Sequence, residues 1–275
     1  MAYFQINDSL FEDITSDTHG AGLSLSRDRG TVALSRDSFI RCVAPVEGGG
    51  FYADVEKFSA SCLLLSECNA ANQGAAFHIT SKCQNCSVSS SSASKSIGFD
   101  EDGILIYGSK SNLFEHSNIS HFQGNIIALT IWPYQESMGT LRNLNAANNT
   151  IGQGIFYLIN LLSIASCNIL DCRSGAFIYF NPPGQFLSLS DTVFVGNLFD
   201  GLSTQDIPQK TFKNNFFDNE KTQSLFVDSQ GNLPGIIMSN IITQEILIYC
   251  EKSNFCTKRS YAVLQITVCL HFLLV

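Results

Sequence analysis

A pattern that recurs along the chain limits its possible folds more than any other feature. In Ser59–Ile79, SASCLLLSECNAANQGAAFHI, an apolar residue is followed three places on by Cys or Asn, then by Gly, then by a short alternating apolar run. The same order runs through Phe39, Cys42, Gly48 and GGFYA, and earlier through Phe11, Ile14, Gly20 and GLSL. It returns as Asn148, Gly154 and GIFYL, and as Ile169, Cys172, Gly175 and AFIYF, with shorter echoes at Phe194–Asn197 and Phe216–Asn219. The steps from Phe11 to Phe39 and on to Leu65 are 28 and 26 residues; those from Ile169 to Phe194 and on to Phe216 are 25 and 22. A period in this range sets the architecture.

Each unit holds short runs of alternating or β-branched and aromatic residues, separated by Gly, Ser, Asn and Asp, and these read as strands and corners. Long runs with apolar spacing of three and four are missing, which argues against helices. One unit buries about five apolar side chains at roughly 1.5–3 kcal/mol each. Ordering it costs on the order of 1.5 kcal/mol per residue. A single unit therefore cannot stand alone, whereas stacked units pair strand on strand and share one internal apolar column. The pattern predicts an all-β parallel β-helix of about 9–10 coils over residues 1–257.

Composition supports one sizeable domain: 275 residues, 45% hydrophobic, with 21 Phe suited to internal stacks. The 16 Lys and Arg against 24 Asp and Glu give a charge of -8 and no basic stripe, so nucleic acid is excluded as a partner. The first residues enter a repeat without a basic segment or apolar core. Two readings stay open: a cytoplasmic protein, or a cell-surface or extracellular one whose leader lies outside this chain.

Loops are expected near 87–102, where NCSVS can be a strand and the serine-rich Ser89–Ser96 bulges from a corner, near 132–139 around Pro133, and near 200–211. NPPG at Asn181–Gly184 reads as a corner. SLFVD and GIIMSNIITQEILIYC read as further strands. Residues 258–275 form an apolar segment that is either a final strand or cap, or the start of a membrane anchor. Membrane association would run through it.

Ten cysteines invite two readings. Stacking would bring Cys42 and Cys68 within disulfide reach; the reading preferred is a ladder of buried free thiols. Cys83 and Cys86 resemble half a zinc site without its other half, and Cys250 and Cys256 a local staple. Sequons stand at Asn7, Asn85, Asn118 and Asn148. The glycines at 48–50 lack the Lys and the helix of a phosphate loop and are assigned to a tight corner.

Catalysis on this architecture needs clustered carboxylates, or a carboxylate-bound cation beside a basic group. Asp100, Glu101 and Asp102 are adjacent and read as a solvated loop. Asp171 follows a strand with no second carboxylate at repeat spacing. His78 lies in an alternating strand, and His116 and His121 read as surface residues. No catalytic, cofactor-binding or metal site is assigned, and no cofactor is expected.

The aligned copies resemble the repeats of right-handed parallel β-helix surface proteins, in particular polymorphic outer-membrane and adhesin-like families and β-helix surface proteins of protists. The motifs carrying this are GGGFYA (48–53), GAAFHI (74–79), GIFYLI (154–159) and GAFIYF (175–180), with FVGN (194–197) and FFDN (216–219). FIRC and LSEC carry Cys in place of Asn. The resemblance implies an exposed, non-enzymatic rod used in adhesion or display, with a host or cell-surface protein or glycan as partner. The alternatives are a pectin-type lyase or glycoside hydrolase on the same fold, and an intracellular β-helix interaction protein.

Overall fold

The computed structural model describes residues 2–80, 85–98, 102–107, 111–125, 127–132, 138–158, 161–180, 186–203, 207, 209–218 and 220–226. The chain winds as a right-handed parallel β-solenoid. Each turn offers up to four short strands, here called faces in chain order. In the second turn these are the end of Leu23–Ser35, then Ser38–Ile40, Val43–Ala44, and the start of Phe51–Ser61. The second face stacks nine strands in chain order, so nine rungs are present among the described residues. About seven are complete turns. The first rung has only an isolated Thr15 bridge on its third face, and the last ends in the helix Glu220–Ser224.

Register confirms the repeat and refines it. Phe11, Phe39 and Leu65 stand one above another, as do Ile169 and Phe194. Phe194 pairs with Phe217 and not Phe216, so that step is 23 residues. The buried corner residue continuing Cys42 and Cys68 is Asn149, whereas Asn148 takes the left-handed corner with φ 55. Gly154 pairs with Ala176, one position further round than Gly48. In the first two cases the displaced residue has a neighbour of the same type, so the letters alone do not separate them; at the third, Gln153 stands where Gly48 does.

The core is one column of stacked side chains. Phe11 on Phe39 and Phe51 on Phe77 lie with ring centres 4.8 Å apart and planes 4° apart, the spacing of the strands themselves. Across the column from the second face, Gly22, Gly50, Ala76, Gly103 and Ala128 are small because large neighbours fill the space. A Cβ on Gly103 would lie 2.3 Å from Phe122. Further along, Ile155 and Phe177 take over this position. At the far end Phe226 closes the column against Phe194 and Phe217, with centres 4.9 Å from each.

Two corners per turn use a left-handed residue, most of them not glycine: Asp8, Arg36, Cys62 and Ser90 at one, Asp13, Arg41, Glu67 and Lys95 at the other. The residue after each turns inward; where it is polar, its side chain satisfies the backbone, and where it is apolar, as at Ile14 and Leu63, it joins the core column. Asp37 accepts from Ser9 and Ser35 N–H at 2.9 and 3.0 Å. Asn197 Oδ1 accepts from Cys172 N–H while its Nδ2 donates to Ile169 O. Burial pushes the Asp37 carboxyl up, and its two backbone donors oppose this.

Three expectations are corrected. NCSVS forms the strand Asn85–Ser89, as its sequence allows, but the serine run after it is not a bulge: it completes a regular rung with strands Ser92–Ser94 and Ile97–Gly98. Serine fits because its hydroxyl serves the corner: Ser91 Oγ accepts from Leu63 N–H and donates to Ser89 O. Within 200–211, Gly201–Ser203 is strand, paired with Ala176 and Ile178, and Gln209–Lys213 is strand again. The helix Glu220–Ser224 runs into the start of SLFVD, placing Phe226 over the open core. Parts of the expected loops, the corner at 181–184, the strands after 226 and the segment 258–275 lie outside the described residues. No helix among the described residues is long and apolar enough to cross a membrane.

Candidate functional site

A group of chemically versatile side chains lies outside the solenoid, where the third face passes to the fourth in the first three turns. The chain turns there through Gly20, Gly48 and Gly74, with φ of +61°, +65° and +62°. A side chain on Gly48 would run into Phe51 O at 2.3 Å, so only glycine fits. The glycines at 48–50 thus form a tight corner, as their sequence implies. The residues just before these glycines are His19, Glu47 and Gln73, stacked through Gly20 N–H to Glu47 O and Gly48 N–H to Gln73 O.

Beyond the corner the fourth face points Ser24, Tyr52, His78, Leu105, Thr130, Tyr157 and Tyr179 outward in one column. Column and corner meet at Glu47. Its Oε2 lies 3.1 Å from His19 Nδ1 and 3.4 Å from His78 Nδ1. Both nitrogens are shut off from solvent, yet neither is aligned in a hydrogen bond. The Tyr52 ring packs on both imidazoles, with centres 4.8 Å from His19 and 5.3 Å from His78. Asp54 follows two residues along the strand.

Burial, reinforced by His19, lowers the His78 pKa to about 4. The nearby Glu47 carboxylate works the other way, and burial outweighs it, so His78 is a neutral imidazole at neutral pH. Burial, with Asp54 and Glu47 adding to it, pushes the Tyr52 hydroxyl up to about 12, so it stays a donor. A carboxylate, a neutral imidazole and a second, half-exposed imidazole can share a proton or ligate a cation. Sequence reading missed this group because its members lie in three different turns. The usable signal was the polar residue before each corner glycine, with the next-but-three residue pointing outward beside it.

The other candidates are placed elsewhere. Asp102 is not solvated: it begins the strand Asp102–Tyr107, is buried, and accepts from Thr130 Oγ1 at 2.6 Å. Asp100 and Glu101 lie outside the described residues. Asp171 is an exposed left-handed corner residue, and His116 and His121 are exposed corner residues too. The cysteines are free thiols at 42, 62, 68, 86, 167 and 172. Cys68 donates to Phe39 O at 3.3 Å and Cys42 to Phe11 O at 3.5 Å, each bonding to the rung below. Cys86 is buried on its strand; Cys83, Cys250 and Cys256 lie outside the described residues. Of the sequons, Asn7 and Asn85 are exposed. Asn118 is tied into an outer ladder, accepting from Asn145 Nδ2 at 3.0 Å.

Among the described residues no group of three or more His, Cys, Asp or Glu side chains is placed to hold a metal ion. The fold defines the chain's class, a right-handed parallel β-solenoid scaffold. Compared with known proteins, it has no significant match to any family model, curated protein or solved structure.

Proposed function

We propose that this chain is a non-enzymatic rod of the adhesion kind, displayed at a cell surface and offering its outer faces to a protein or glycan partner. The observation that carries this reading is how the outer charges are used. Arg36 pairs with Asp8 at 2.6 Å, Arg41 with Glu12 at 2.8 Å and with Asp13, Lys95 with Glu67 at 3.6 Å, and Arg142 with Glu115. Each pair joins one rung to the next, so these charges brace the stack. Between them the first face presents small neutral groups in one column: Ala33, Ser59, Ser87, then Thr140, Ser163, Ser188 and Thr211, interrupted by Leu113. Such a face suits contact over several rungs better than bond cleavage at one point.

The enzyme reading keeps one observation in its favour, the His19, Glu47 and His78 group. The test is to incubate the purified chain with polygalacturonate and other acidic polysaccharides, following reducing ends and the absorbance of unsaturated products. A rod gives no turnover above a heat-denatured control, and retention on immobilised glycan or cell-surface protein without product. Turnover that disappears in Glu47→Gln would overturn the proposal.

A further inference from the structure

The two buried imidazole nitrogens at Glu47 are an anomaly that packing leaves unexplained. Polar atoms buried in folded proteins nearly always find a partner, and an orphan calls for an ion or a water. Here two orphans, His19 Nδ1 and His78 Nδ1, lie within 3.4 Å of the same carboxylate oxygen. In a tetrahedral zinc site, with bonds of about 2.0–2.2 Å, neighbouring ligand atoms stand roughly 3.3–3.5 Å apart. The 3.4 Å separation from His78 falls at that spacing, and the 3.1 Å separation from His19 is slightly shorter. Two histidines and one carboxylate are also a ligand set that zinc takes with an open position for water.

We infer that His19, Glu47 and His78 are the protein ligands of a divalent transition-metal site of the zinc class, braced across the first three turns. The trio is open as it stands, with Glu47 Oε2 between the two rings and no common centre enclosed. Closing it asks for movement of the side chains able to move. His19 is 40% exposed and Glu47 23%, whereas His78 at 5% is fixed by its surroundings. One rigid ligand and two adjustable ones facing solvent give an ion a way in and leave room for a bound water. The site goes beyond a rod's role: an ion here would lock rungs one, two and three together from outside.

The full chain, stripped with chelator, is titrated with Zn²⁺ by calorimetry, and with Co²⁺ by visible absorption. The expected result is one ion per chain and weak d–d bands of nitrogen and oxygen coordination. Affinity should fall roughly tenfold or more in His19→Ala and in Glu47→Gln. Both variants alter partly exposed side chains, and an unchanged circular dichroism spectrum of the metal-free protein shows that they fold. Three results would overturn the inference: no saturable binding, binding that both variants retain, or the intense near-ultraviolet band of cobalt thiolate, which would place the ion on cysteines.

Discussion

Gly103 shows how tightly single residues are constrained. Its missing Cβ leaves space that Phe122 occupies, with contacts of 2.3 and 2.6 Å and Ala128 O at 2.8 Å on the far side. Gly103→Ala is therefore expected to cost about 1–3 kcal/mol in a denaturant titration. Gly201→Ala, whose Cβ would meet nothing closer than 3.6 Å, should stay within about 0.5 kcal/mol of the parent. Asp37 gives a pH signature. Burial raises its native carboxyl above the unfolded value, so the native state holds the proton more tightly. The resulting stability is complete below the ordinary carboxylate range and is lost as pH rises through the raised value. Stability measured against Asp37→Asn should favour the parent more near pH 3 than near pH 7; an advantage that grows with pH would contradict this. At this scale the sequence was only partly legible. Asn148 and Asn149 are alike as letters, and only the register decides which turns inward. Asp102 looked solvated because its acceptor role depends on Thr130, a full turn away.

Corners, rather than strands, are the elements that specify this fold. The strands of the second face are only two or three residues long, and what aligns them is the left-handed residue and the inward residue that follows, polar at most corners and apolar at Leu63 and Leu144. Asn197 closes two backbone groups at once. Asn197→Ala should lose about 1–3 kcal/mol, because Cys172 N–H and Ile169 O are left buried without a partner. Removing the exposed partner in Arg142→Ala should change stability by no more than about 1 kcal/mol. Thermal or chemical denaturation of the pair separates these two kinds of contact. Strand runs and glycine corners were readable because they repeat. The serine rung was not, since Ser89–Ser96 has loop composition and qualifies as a turn only through rungs above and below it. The His19, Glu47 and His78 group escaped for the same reason.

As a whole the molecule is a one-dimensional stack, and its stability is expected to be local. Phe226 closes one end of the column against Phe177, Phe194, Phe212 and Phe217. Phe226→Ala should raise hydrogen exchange in Phe186–Ser190, Val193–Val195 and Gln209–Lys213 and leave Phe51–Ser61 protected. A global loss of protection would show that the turns do not behave as separable units. The parallel β-helix and its single core were legible from period and composition. Chain order around each rung, and thus the outer surface, needed the register.

That register is the central claim, and a distance measurement tests it most directly. Ser59, Ser163 and Thr211 stand in one outward column, with Thr211 six rungs from Ser59 through Ser87, Leu113, Thr140, Ser163 and Ser188. At about 4.8 Å per rung the backbones at 59 and 211 should be roughly 29 Å apart, and those at 59 and 163 roughly 19 Å. Spin labels placed at these pairs through non-canonical residues, read by pulsed electron resonance, should give separations that grow in proportion to the rungs between them. Two pairs at equal distance, or a shorter span for 59 and 211 than for 59 and 163, would contradict the solenoid.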